Sequence, residues 1–174
     1  IAQRFNNLYG PPFTLPDGYV PKAGARIMSL AEPTKKMSKS DPNVNSFVLM
    51  TDDRDTIVRK FKRAVTDSEG SVRYDTANKP GVSNLMAIYS TFTGKSMEEI
   101  EAEFAGKGYG DFKLAVAETV ADALTPIRTE YTRILADKAY VDGILKDGAA
   151  RAARLADRMV AKVYRKVGLL QPER

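Results

Sequence analysis

The chain has 174 residues, 43% of them hydrophobic and 28% charged, with no cysteine and no histidine. Disulfide frameworks, thiolate zinc sites and imidazole catalysis within these residues are thereby excluded. No apolar run approaches the roughly 18 residues that cross a bilayer, so no membrane partner is expected, and a cytoplasmic home fits the composition. The net charge of +5 is uneven: +3 over residues 1–50, +1 over 51–80, −4 over 81–147 and +5 over 148–174. Two basic, anion-facing ends therefore flank an acidic middle.

Ile1, Phe5 and Leu8 recur at helical spacing until Gly10-Pro11-Pro12 stops the run. The pattern starts in mid-helix, and the chain is expected to be part of a longer polypeptide. Turn residues dominate 11–33, and Arg26-Ile27-Met28-Ser29-Leu30 reads as a short strand. Phe47-Val48-Leu49-Met50 is a second apolar run, either strand or buried connector.

Thr51-Asp52-Asp53 opens a helix whose stripe is Ile57, Phe61 and Ala64 or Val65. Its first turn is acidic and its last turns carry Arg59, Lys60, Lys62 and Arg63. Dipole compensation accounts for these cations, with RNA contact as the alternative. The polar loop from Asp67 to Pro80 is longer than a connector requires. Leu85, Ile88, Tyr89 and Phe92 form the next apolar face, ended by Thr93-Gly94. A capping box of Ser96 and Glu99 starts a short acidic helix.

Gly106-Lys107-Gly108-Tyr109-Gly110 lacks the strand and spacing of a nucleotide fingerprint and reads as a helix-to-helix turn. Phe112, Val116, Val120, Leu124, Ile127, Tyr131 and Leu135 predict one long buried stripe containing Pro126. Tyr140, Ile144 and Leu145 mark a short helix closed by Gly148, and a last helix is expected from about Ala149 to Val167. On that helix Arg151, Arg154, Arg158, Lys162 and Arg165 share one arc, while Met159, Val160, Val163 and Val167 occupy another and are expected to be buried. With only Asp157 as an acidic neighbour inside the helix, the basic arc is either a solvated face or a surface for a polyanion such as RNA.

The most concentrated chemistry lies in Thr34-Lys35-Lys36-Met37-Ser38-Lys39-Ser40-Asp41-Pro42. Clustered ammonium groups repel one another unless an anion sits among them, and phosphate suits lysines backed by hydroxyls and loop N–H groups. A solvated basic turn is the plain alternative. The string Lys36-Met37-Ser38-Lys39-Ser40 resembles the second signature, KMSKS, of class I aminoacyl-tRNA synthetases. Gly24-Ala25-Arg26-Ile27-Met28-Ser29-Leu30, Ala64-Val65-Thr66-Asp67-Ser68-Glu69-Gly70, Lys79-Pro80-Gly81-Val82-Ser83-Asn84-Leu85 and Gly106-Lys107-Gly108-Tyr109-Gly110 are similar to the tryptophan-specific bacterial branch of that family.

The resemblance implies a mainly α fold. A helical, anticodon-binding type of domain over 51–174 would follow, at 1–50, the last strand and KMSKS loop of a Rossmann-like α/β nucleotide-binding domain. It implies ATP-dependent activation of L-tryptophan and its transfer to tRNA(Trp), in a cytoplasmic homodimer, with Mg²⁺ carried on the ATP phosphates. Lys36 and Lys39 would stabilise charge on the departing phosphates, and Ser38 and Ser40 would hold phosphate oxygens or brace the loop. The Met37 backbone and Ile27 would contact adenine, and Arg151, Arg154, Arg158, Lys162 and Arg165 are the tRNA-binding candidates. The likeness covers only the C-terminal half of such an enzyme. The first family signature requires histidine, which this chain lacks, so the 174 residues alone are expected to be inactive. The rival readings are a non-catalytic RNA-binding helical module, and a tyrosyl-type or other class I nucleotidyltransferase.

Overall fold

The structure is a computed structural model that describes residues 1–20 and 24–170. Its elements are α1 (Ala2–Tyr9), α2 (Arg54–Lys62), α3 (Pro80–Thr93), α4 (Met97–Glu103), α5 (Tyr109–Ala136) and α6 (Lys138–Val167). The fold is mainly helical, as the sequence predicts. Two units are distinguished, Val20–Thr132 and Ile1–Tyr19 with Arg133–Arg174, so the division falls within α5.

Local signals place most helix ends. The Asp53 carboxylate accepts from Thr56 N–H at 2.7 Å and caps α2. Ser96 and Glu99 form the reciprocal capping box of α4, at 3.3 and 2.8 Å. Pro80 stands at the start of α3, where its missing N–H costs nothing. Gly94 ends that helix at φ 74°, a left-handed conformation that glycine adopts without strain. The glycine-punctuated segment after α4 is a turn between helices, as expected.

In the unit Val20–Thr132, Ile57 and Phe61 of α2, Val82, Leu85, Met86, Ile88 and Tyr89 of α3, Ile100 and Phe104 around α4, and Phe112, Val116 and Val120 of α5 form one buried cluster. Tyr89, Phe104 and Phe112 meet edge to face, with centroids 4.9–6.4 Å apart, a geometry worth about 0.5–1.5 kcal/mol per pair beyond burial. Gly81 is dictated by close packing. A Cβ there would lie 2.1 Å from the Val65 carbonyl oxygen, so α3 could not approach the end of α2 with any other residue.

The other unit is built from α1, α6 and the chain around them, and none of its described residues is buried. Phe5 stacks at an angle against Tyr9 and edge-on against Phe13, and Lys166 Nζ donates to the Tyr9 carbonyl at 2.9 Å.

Several expectations are corrected. Arg26–Leu30 is not a strand: the described residues contain no named strand, and this segment contributes a single antiparallel bridge, Met28 with Lys36. The segment 47–50 is a connector in which Phe47 is buried and Leu49 and Met50 are exposed. Gly148 does not end a helix, because α6 is continuous from Lys138 to Val167; a glycine weakens a helix by about 1 kcal/mol without breaking it. The stripe of α5 is buried only at Phe112, Val116 and Val120, whereas Ile127, Tyr131 and Leu135 are exposed. Met159, Val160, Val163 and Val167 are likewise not buried.

Candidate functional site: an anchored lysine loop and a basic helix face

The loop stands on a short base. Ser29 N–H donates to the Lys35 carbonyl at 2.8 Å and Met37 N–H to the Ile27 carbonyl at 3.0 Å, the two bonds that flank the Met28–Lys36 bridge. In that register the Met28 N–H and C=O point away from the loop. Both are taken by one side chain of α3: Met28 N–H donates to Asn84 Oδ1 at 2.8 Å, and Asn84 Nδ2 donates to the Met28 carbonyl at 2.9 Å. The next residue continues the anchorage. Leu30 N–H donates to the Ser46 carbonyl at 3.0 Å, and Val65 N–H to the Leu30 carbonyl at 2.8 Å. Val65 is the residue against which Gly81 packs.

Above this base the chain turns back on itself. The Ser29 hydroxyl accepts from Ala31 and Glu32 N–H, closing the turn that precedes the lysines. Ser40 N–H donates to the Ser38 hydroxyl at 3.3 Å, and Asp41 N–H donates to the Ser38 carbonyl. Asp41 and Asn43 each accept from the N–H two residues on, the local turns that Asp and Asn favour, and these shape the exit.

The charged groups differ in their partners. Lys35 pairs with Glu32 at 2.8 Å, both side chains mostly exposed, an ion pair worth little in water. Lys36 and Lys39 are exposed and form no ion pair among the described residues. Ser38 and Ser40 are exposed beside them. Ile27 and Met37 are half-buried against the core and, with Val48, Phe61 and Leu124, line an apolar hollow beneath the loop. The sequence candidates of this region are thus brought together: two free ammonium groups and two hydroxyls outward, two apolar residues inward. That arrangement can receive an anion carrying an apolar or aromatic appendage.

Two buried lysines support the scaffold and are unavailable to a ligand. Lys60, one of the cations at the end of α2, is bonded to Asp52 at 2.6 Å. Asp52 in turn accepts from Leu49 N–H, and its carbonyl accepts from Arg128. Lys79 is fully buried and donates to Asp67 at 3.0 Å, to Tyr109 Oη at 3.0 Å and to Glu69 at 2.7 Å. Burial disfavours the Lys79 ammonium, but bonds to Glu69, Tyr109 and Asp67 outweigh it and raise its pKa. Burial pushes the Asp67 carboxyl up, but the Tyr109 hydroxyl, the Glu69 N–H and the Lys79 ammonium hold it down to about 2. The long polar loop 67–79 is therefore tied to both α3 and α5.

The second set of candidates lies on α6. Arg154, Arg158, Lys162 and Arg165, with Ala150 and Ala153, line an open concavity along the helix. Lys162 and Arg165 also face Pro11 and Pro12. These four cations form no ion pair among the described residues, with Asp157 the acidic residue in the same concavity. Arg151 differs, being paired with Asp147 at 2.9 Å one turn away.

Sequence reasoning missed Asn84 as an anchor. It lies in the family-like segment Lys79–Leu85, and only the structure shows it within the buried run Val82–Met86.

Comparison with known proteins places the chain in a family. The family described as "tRNA synthetases class I (W and Y)" matches residues 1–125. The chain is similar to the tryptophan–tRNA ligase of Bacillus anthracis, 51% identical over 174 residues, which are 100% of this chain and 53% of that protein. It is similar also to the tryptophan–tRNA ligase of Halalkalibacterium halodurans, 50% identical over 97% of this chain and 51% of the relative. Among solved structures, the tryptophanyl-tRNA synthetase of Mycoplasma pneumoniae matches with a TM-score of 0.85 at 30% identity, over 97% of this chain and 51% of that one. The Campylobacter jejuni tryptophanyl-tRNA synthetase complexed with ADP and tryptophan matches with a TM-score of 0.66 at 28% identity, over the same shares. The chain spans about half the length of the curated relatives it matches.

Proposed function

Since the chain belongs to the class I tRNA synthetases of the tryptophan and tyrosine family, we propose that it supplies the KMSKS half of the site in a tryptophan–tRNA ligase. The activity is that of the whole enzyme, of which these residues would be one part: ATP-dependent activation of tryptophan, then its transfer to tRNA(Trp). The names of these relatives, tryptophan–tRNA ligases, support tryptophan over tyrosine. The relative with ADP and tryptophan bound supports a nucleotide site.

In the first step the tryptophan carboxylate attacks the α-phosphate and pyrophosphate leaves. Charge accumulates on the departing oxygens, and cations already in place stabilise it most effectively. Lys36 and Lys39 serve this purpose, with Ser38 and Ser40 as hydroxyl partners. Ile27 and the Met37 backbone would meet the adenine. Mg²⁺ would arrive on the ATP phosphates; the described residues hold no cluster of three acidic side chains suited to bind it. No proton need be removed in this step, so the lack of histidine is no obstacle to the loop's role.

On this reading residues 1–50 are the trailing edge of the nucleotide-binding domain and 51–174 the helical tRNA-binding domain. Arg154, Arg158, Lys162 and Arg165 would face RNA phosphates, with Arg151 a weaker candidate because of Asp147. The enzyme would be a cytoplasmic homodimer, and among the described residues no helix is long and apolar enough to cross a membrane.

The observation that carries the reading is the pair of exposed ammonium groups of Lys36 and Lys39, unpaired among the described residues, on a loop whose base is held by six backbone and side-chain bonds. Lys39→Ala in the full-length enzyme is expected to lower the rate of ATP–pyrophosphate exchange about a hundredfold or more, with tryptophan affinity nearly unchanged. Equal losses in both would remove Lys39 from the transition state. RNA binding that is salt-dependent but accompanied by no ATP protection of the loop from trypsin would favour a non-catalytic RNA-binding module instead.

A further inference from the structure

We infer that Asn84 is a positioning residue for adenylation, acting through the Met28 backbone to set where Lys36 and Met37 meet the nucleotide; this rests on the synthetase reading above. The base of the loop is an incomplete sheet. Met28 shares its loop-facing edge with Lys36, and its other edge would ordinarily require a neighbouring strand. Among the described residues no strand is there. A carboxamide carries the same donor and acceptor as a peptide group, and Asn84 presents both to Met28, at 2.8 and 2.9 Å.

The pairing fixes register as well as position. A shift of one residue in the 27–29 segment would offer Asn84 no N–H and C=O pointing its way, because successive peptide groups face opposite edges. The same shift would misalign the Met37-to-Ile27 and Ser29-to-Lys35 bonds that place the first lysine of the motif. Asn84 can hold this position because it is 6% exposed on the first turns of α3. That stretch of helix is locked from behind by Gly81 against Val65, and by the Ser83 hydroxyl accepting from Asp75 N–H at 2.9 Å. A rigid helix thus carries the loop by one side chain 56 residues away in sequence.

Asn84→Asp isolates the effect. It keeps size and the acceptor for Met28 N–H, but replaces the donor with an oxygen facing the Met28 carbonyl. In the full-length enzyme ATP–pyrophosphate exchange is measured with ATP and tryptophan varied separately, alongside thermal unfolding. The expected result is a fall of about tenfold or more in kcat/KM for ATP, shared between KM and kcat, with KM for tryptophan within about twofold and unfolding still cooperative. Unchanged kcat/KM for ATP, or equal losses for ATP and tryptophan, would overturn the inference. Should the variant not fold, amide hydrogen exchange on the unmodified enzyme decides. Met28 N–H protected like the α3 core supports the clamp, and exchange as fast as Lys39 N–H refutes it. Lys39→Ala run in parallel separates the two ideas. If it leaves exchange intact the synthetase reading fails, and if it abolishes exchange while Asn84→Asp does not, only the clamp fails.

Discussion

The unit Val20–Thr132 contains all the buried residues among those described, and the unit of Ile1–Tyr19 with Arg133–Arg174 contains none. Both are made of amphipathic helices with similar periodicity, so the helix pattern does not separate them. What separates them is whether apolar stripes meet. In the first unit α2, α3, α4 and the start of α5 turn their stripes toward one another, and the lysine loop stands on that shared core. In the second, α6 is 30 residues long yet leaves Leu145 and Leu155 63% and 69% exposed. On the proposed reading, the loop must hold its ammonium groups to within fractions of an ångström and so needs a packed base, whereas α6 would present a row of cations to a polyanion and needs only its own backbone bonds.

The sharpest way to break this contrast is to empty the core. Phe112→Ala removes a fully buried ring that touches Tyr89 and Phe104, and denaturant unfolding should show a loss of about 3–5 kcal/mol. A loss below 1 kcal/mol would mean the core does not hold the unit together. The Asp67–Lys79 network should follow. Asp67→Asn is expected to cost about 1–3 kcal/mol near neutral pH. The folded carboxyl titrates near 2, against about 3.9 for an unfolded aspartate. Its stabilisation is therefore complete above about pH 4 and is lost as pH falls toward 2. Melting curves of variant and parent should converge over that window, and a constant gap would exclude Asp67 as the source.

Smaller effects belong to the exposed helix. Arg158→Gln should weaken RNA binding and lower the slope of log affinity against log salt by about one, with no change in ATP–pyrophosphate exchange. An unaltered slope would take Arg158 off the phosphate contacts. Smallest of all, Leu155→Ala in the 174-residue chain should alter stability by less than about 0.5 kcal/mol. A cost above 2 kcal/mol would show that this side of α6 is covered after all.

What could be read from the residues alone follows the range of the interactions. The caps at Asp53, Ser96 and Gly94 were legible because capping spans three or four residues. The exposed Lys36 and Lys39 were legible because proline and asparagine keep that stretch out of regular structure. Periodicity identified the stripe of α5 but not its limit. Phe112 and Ile127 obey the same spacing, and only their neighbours in space decide that one is buried and the other exposed.

By itself, then, the sequence determined the helical character, the helix ends at Asp53, Gly94 and Ser96, and the cluster of cations and hydroxyls near residue 38. Tertiary structure alone decided that Lys60 and Lys79 are buried struts. It alone replaced an expected strand with a single bridge and a carboxamide. The reason is physical: a lysine's role depends on whether a carboxylate lies within bonding distance, and Asp67 and Asn84 reach their partners only after the chain has folded across 12 and 56 residues.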